Sequence, residues 1–167
     1  IFNQLKVINL GDSRIVLCNK YNIAVQLTKD HKPNEREERI RIENMKGVIE
    51  KDSYDIYRIK GLSVSRAFGD FDCKPEVSHV PEIFDYELNT ENGVVSDKFL
   101  VLACDGLWDV MTSQEVIDFI LEKMSHITNI ETCDNSGRNN IALMLGTYAI
   151  NEKKSEDNVS IVIVYFK

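Results

Sequence analysis

The sequence predicts an α+β fold built on antiparallel sheets. Three observations point there. Strand-like and helix-like segments fall in separate clusters, the opening strands are short and joined by tight turns, and a capped amphipathic helix follows Thr112.

Taken in order, Leu5, Val7 and Leu10 alternate with more polar neighbours, Gly11-Asp12-Ser13 makes a turn, and Ile15 to Cys18 resumes an apolar run. A second turn at Asn19 to Asn22 leads into Ile23 to Leu27, which completes a meander of short antiparallel strands. After Pro33 the stretch 34–45 reads as a helix. Glu35, Glu37 and Glu38 sit in its first turn, where the helix dipole favours anions, and Lys46-Gly47 closes it. Tyr54 to Ile59 returns to strand alternation, and 61–81, richer in Gly, Asp and Pro, is expected to be an ordered loop. Glu82 to Leu88 and Phe99 to Cys104 read as further strands.

Thr112 and Glu115 make a capping box, and Val116, Ile117, Ile120, Leu121 and Met124 form the inward stripe of the helix it starts. A polar loop over 129–140 precedes a second helix near Ile141 to Ile150. The last stretch, Val159 to Phe166, is strongly β-forming and is expected to be a central strand. The chain contains no internal repeat or low-complexity tract.

A chain of 167 residues with 43% apolar content suffices for one globular unit with a real core, or a large piece of one. No apolar run approaches the roughly 20 residues needed to cross a bilayer, so no membrane span is expected. With 27 acidic and 20 basic residues the net charge is -7, which argues against nucleic acid as a partner. Such acidity is ordinary for a solvated surface and also suits carboxylates that are balanced only when divalent cations bind. Cys18, Cys73, Cys104 and Cys133 show no C-x-x-C spacing. Cys18 and Cys104 lie in apolar runs where a thiol packs as a small hydrophobe, which favours a reducing compartment, cytoplasmic and/or nuclear. The chain starts at Ile1 without an initiator methionine and runs straight into a strand, so the natural amino terminus is expected upstream, together with any targeting signal.

Three aspartates occupy similar places: Asp12 just after the first strand, Asp105 just after Phe99 to Cys104, and Asp157 just before Val159 to Phe166. A strand end is held by the core on one side and open to solvent on the other, so carboxylates can converge there without full desolvation. Oxygen ligands select hard ions such as Mg2+ and Mn2+, and the His and Cys clusters that zinc prefers are absent from the sequence. Asp109 adds a fourth acid, with Gly106 permitting a sharp bend after Asp105. Taken singly, each Asp is more simply read as an ordinary turn residue.

These residues stand in six motifs: VINLGDSR (Val7 to Arg14), LTKDHKP (Leu27 to Pro33), ERI (Glu38 to Ile40), SVSRAFGD (Ser63 to Asp70), LACDGLWDVM (Leu102 to Met111) and SEDNVSIVIV (Ser155 to Val164). In this order, over essentially the whole chain, they resemble the metal-dependent protein phosphatase family (PPM, type 2C). The resemblance implies a β-sandwich of two antiparallel sheets flanked by helices, with a binuclear Mg2+ or Mn2+ centre at one end. By it, Asp105 and Asp157 are ligands of the two catalytic ions, directly or through waters, and Asp12 with Asp109 helps hold a weaker third ion. The implied reaction is hydrolysis of phosphoserine and phosphothreonine in phosphorylated proteins by a metal-activated water, with no side-chain nucleophile. The C-x5-R signature of cysteine phosphatases is absent from the sequence. Arg66 is a candidate for substrate phosphate, weighed against a structural ion pair with Asp70 four residues on. His31 reads as a surface or packing histidine and Trp108 as a core aromatic that fixes the metal loop. Oligomeric state is left open.

The family carries an earlier segment with a phosphate-binding arginine and a D-G-H-G-G motif that supplies a bridging aspartate and a histidine acid. Residues 1–167 do not contain it. The chain is therefore expected to be the carboxyl-terminal part of one phosphatase domain, inactive and aggregation-prone alone because sheet edges and apolar faces would be open. The alternative is an inactive pseudophosphatase serving as a regulatory protein-binding module. Retention of all four aspartates favours the first. Lys46 stands where many relatives have a second glycine, which should affect only a turn. The resemblance also places the variable region that tends to set substrate preference at Phe71 to Val80.

Overall fold

The structure, a computed structural model, describes residues 3–125 and 140–166. Its strands are β1 (Gln4–Asn9), β2 (Arg14–Cys18), β3 (Ala24–Gln26), β4 (Ile49–Lys51), β5 (Tyr57–Ile59), β6 (Glu82–Glu87), β7 (Thr90–Glu91), β8 (Val94–Val95), β9 (Phe99–Ala103) and β10 (Ile161–Tyr165). Its helices are α1 (Arg36–Asn44), α2 (Asp105–Trp108), α3 (Ser113–Ser125) and α4 (Ile141–Asn151), with a 3-10 turn at Phe71–Cys73. The α+β class with antiparallel pairing is as the sequence predicts. Most of the expected polar loop over 129–140, and Cys133 with it, lies outside the described residues.

The chain divides into two compact units, one of Ile1–Leu5, Arg14–Thr28 and Tyr86–Lys167, the other of Lys6–Ser13 and Lys29–Asp85. The first is organised by β9, whose five residues are all apolar and nearly all buried. A short run with no polar face can be satisfied only between two neighbours. β9 accordingly lies inside a four-stranded antiparallel sheet of order β10-β9-β2-β3. Phe99 pairs with Cys18 on one side and Tyr165 on the other, Val101 with Val16 and Ile163, and Ala103 with Arg14 and Ile161. The period-two alternation puts Val16, Cys18, Phe99 and Val101 in one cluster with Val116, Ile117 and Ile120 of α3 and Ile141, Leu145 and Ala149 of α4. The capping box forms as expected. Thr112 N–H and Oγ1 both donate to Glu115 Oε2, at 2.8 and 2.9 Å, and Glu115 N–H reaches Thr112 Oγ1 at 3.3 Å. Asn140 caps α4 through a bond from Leu143 N–H. No helix among the described residues is long and apolar enough to cross a membrane.

Two expectations about strands are corrected. β1 does not join a meander with β2 and β3 but pairs with β6. Its inward residues are Val7 and Asn9 instead of Leu10, because the strand's period holds only to Asn9, whose Nδ2 donates to the carbonyls of Lys29 and Gly11. β10 is an edge of its sheet among the described strands, not a centre. Val162 and Val164 stay 57% and 43% exposed. β-branched composition reports fit to a pleated surface, not position within a sheet.

In the second unit α1 buries only Glu38 and Ile42, four residues apart on one face. Met45 and Lys46 end the helix, Lys46 in the left-handed region at φ 61°. β4 and β5 form a hairpin, so the expected strand from Tyr54 is shorter. Tyr54 and Ile56 instead donate their amides to Asp52 Oδ1 in the turn. The loop expected over 61–81 is ordered by its own backbone bonds, among them Ser78 N–H to Ser65 O at 3.0 Å and Ala67 N–H to Ser78 O at 2.9 Å.

Candidate active site

Antiparallel pairing brings the end of β9 against the start of β10. Ala103 and Ile161 are the last ladder pair, and Cys104 N–H extends it to Ser160 O at 3.2 Å. Asp105 and Asp157 therefore emerge at the same end of the sheet. The two segments touch closely. A Cβ on Gly106 would stand 2.4 Å from Asn158 O and 3.4 Å from Asp157 Cβ, so only glycine permits this approach. Ser155 Oγ donates to Gly106 O at 2.6 Å, and Cys104 Sγ donates to Asn158 O at 3.1 Å. Trp108 is buried as expected and ties α2 back to β9 by donating from Nε1 to Ala103 O at 2.8 Å, with the Arg14 guanidinium 5.2 Å over its ring.

Each of the two carboxylates uses Oδ1 to accept from the next amide, Gly106 N–H at 3.0 Å for Asp105 and Asn158 N–H at 2.6 Å for Asp157. Asp157 is exposed and Asp105 half-buried, and among the described residues neither has an ion-pair partner. Carboxylate oxygens are the donor type that a hard divalent ion takes. Among the described residues no three His, Cys, Asp or Glu side chains group closely enough to hold an ion. Asp109 lies exposed one turn after Asp105, its N–H donating to Asp105 O at 2.8 Å.

Asp12 belongs to the second unit, half-buried in a turn where Gly11 adopts φ 101°. His31 fixes that turn. Gly11 N–H donates to His31 Nδ1 at 3.0 Å and His31 N–H to Gly11 O at 2.9 Å. His31 is thus a packing residue, 1% exposed, with the proton of the neutral ring on Nε2, 3.5 Å from Glu82. Burial, then the nearby Arg66 charge, pushes its pKa below the ordinary 6.5.

The expected ion pair of Arg66 with Asp70 is not what the structure shows. Arg66 Nε and Nη2 both donate to Glu38 Oε1, at 3.0 and 2.6 Å, and Nη1 donates to Val80 O. Asp70 stays exposed in a left-handed turn, whereas Glu38 offers a buried, preorganised acceptor. Arg41 Nη2 and Ser65 Oγ complete Glu38 at Oε2, at 2.8 and 2.6 Å. Burial pushes this carboxyl up, but the bonds from Arg66, Arg41 and Ser65 prevail and bring it from 4.5 to about 2. From the sequence Glu38 read only as a first-turn acid favoured by the helix dipole. The signal for its real place was its position one helical turn before Ile42, the buried residue of α1.

A family model described as Protein phosphatase 2C matches residues 2–159. This chain belongs to the Protein phosphatase 2C family. A PP2C-like domain-containing protein of Acanthamoeba polyphaga mimivirus is 40% identical over 98% of the chain, which covers 94% of the viral protein. Protein phosphatase 1A of Homo sapiens is 37% identical over 95% of the chain, which spans 39% of that protein. The crystal structure of serine-threonine phosphatase 2C from Toxoplasma gondii superposes with a TM-score of 0.79 and 27% identity over 100% of this chain and 56% of that one. The chain thus spans nearly the whole viral relative and well under two thirds of the other two. The segments that carry Asp105 and Asp157 are joined by bonds from Cys104, Ser155 and Ser160. The thiol of Cys104, which the sequence suggested was only a small hydrophobe, is part of that junction.

Proposed function

We propose that this chain serves Mg2+- or Mn2+-dependent hydrolysis of phosphoserine and phosphothreonine in proteins, as part of a complete catalytic domain in the cytoplasm or nucleus. The observation that carries the reading is the pair Asp105 and Asp157, held at one sheet end by Gly106, Ser155 and Trp108, with no ion-pair partner among the described residues. Family membership and the names of the human and Toxoplasma relatives support the phosphatase class. Asp105 and Asp157 would hold the two catalytic ions. Bound there, the ions supply an activated water and offset charge on the phosphate oxygens. Arg66 is left out of the substrate role, since its guanidinium is engaged by Glu38 and Val80. An apolar cavity of about 560 Å³, lined by Met45, Phe68, Phe71, Pro75 and His79, offers a seat for a substrate side chain in the region that the resemblance ties to substrate preference.

The test is Mn2+-dependent release of phosphate from a phosphothreonine peptide by the full-length protein, with Asp105→Ala and Asp157→Ala expected to fall to background. Turnover unchanged in both variants would sink the reading. One observation favours a second reading, a regulatory binding module without turnover: the viral relative is itself about as long as this chain. Binding of a phosphoprotein without hydrolysis in the same assay would select it.

A further inference from the structure

At the last step of the β9–β10 ladder, the pair Cys104 and Ser160 should exchange two backbone bonds. Only one is made, from Cys104 N–H to Ser160 O. The carbonyl of Cys104 has been diverted to the first turn of α2, where it accepts from Leu107 N–H at 3.2 Å. The Ser160 amide donates instead to Cys104 Sγ at 3.2 Å, while the same sulfur donates its proton to Asn158 O at 3.1 Å.

We infer that the Cys104 thiol is a positioning residue for the metal ligands, replacing the missing ladder carbonyl so that β9 can turn into a helix without releasing β10. The sulfur both accepts and donates, so a single side chain fixes the segment on each side of Val159. Asp105 follows Cys104 directly and Asp157 precedes Asn158, so the thiol ties together the two backbone segments that carry the carboxylates. A methyl group at this position can do neither, and Ser160 N–H and Asn158 O would lose their partner. A hydroxyl can do both, on a shorter bond.

This inference rests on the metal-binding reading above, and the experiment separates the two. Mn2+ alone is titrated calorimetrically into the full-length protein and into its Cys104→Ala and Cys104→Ser variants, and amide exchange at Ser160 is followed in the metal-free protein. Loss of an outer partner of a metal ligand typically weakens binding roughly 10- to 100-fold. Cys104→Ala is expected to weaken Mn2+ by about that factor and to speed exchange at Ser160, with Cys104→Ser recovering most of both. Faster exchange at Ser160 with Mn2+ affinity unchanged would show the thiol to be structural only and overturn the inference while leaving the metal reading intact. No Mn2+ binding by the unaltered protein would remove the metal reading and the inference with it. If Cys104→Ala does not fold, Cys104→Ser decides: binding as weak as in Asp105→Ala, with a native thermal transition, would contradict the inference.

Discussion

Glu38 in one unit and the Asp105 and Asp157 pair in the other show two opposite ways of building a carboxylate site. Glu38 is buried, and both its oxygens are taken up by Arg41, Ser65 and Arg66. Asp105 and Asp157 are more open, each commits one oxygen to a neighbouring amide, and neither meets a cation among the described residues. A carboxylate closed by its own protein's cations can only hold structure, since an added ion would have to displace an arginine. One left without a cation of its own can accept one from outside, as the proposed function requires.

Substitution can break this contrast, and the largest effect is expected at Glu38. Glu38→Ala would leave two largely buried arginines without their shared anion, at a cost of about 3 to 5 kcal/mol in chemical denaturation. Gly106→Ala comes next. Its Cβ would meet the Asn158 carbonyl at 2.4 Å, which should cost about 1 to 3 kcal/mol and weaken Mn2+ binding by prising the two strand ends apart. Acid tests the Glu38 site directly. The Glu38 carboxyl is depressed from 4.5 to about 2, so the stability it contributes is present above about pH 4.5 and drains away as pH falls toward about 2. Thermal melts over that window should fall steeply for the natural chain and more gently for Glu38→Gln.

Lys46→Gly sharpens a local point. A lysine at φ 61° bears a cost glycine avoids, and its removal should raise stability by about 0.5 kcal/mol, read as a shift in denaturation midpoint. The smallest effect on stability is expected where the effect on metal is greatest. Asp105→Asn and Asp157→Asn should leave the metal-free protein within about 0.5 kcal/mol of the original, while calorimetric titration of Mn2+ shows the ion lost. A loss of several kcal/mol in either variant would place these carboxylates with Glu38 as structural.

By itself the sequence determined what depends on near neighbours. Hydrophobic period and capping chemistry act within a few residues, so the Thr112 box, the stripe of α3, and the strands at Ile15 to Cys18 and Phe99 to Cys104 could be read directly. The apolar runs beside them placed Asp105 and Asp157 at strand ends, and the structure sets them at one sheet end. Tertiary structure alone decided what depends on partners far along the chain. The pairing of β1 with β6, the edge position of β10, the capture of Arg66 by Glu38 across 28 residues, and the hold of Cys104 on the Asn158 segment across 54 were not legible. A side chain's chemistry specifies which bonds it can make, but only the packed backbone decides which donor and acceptor come within reach.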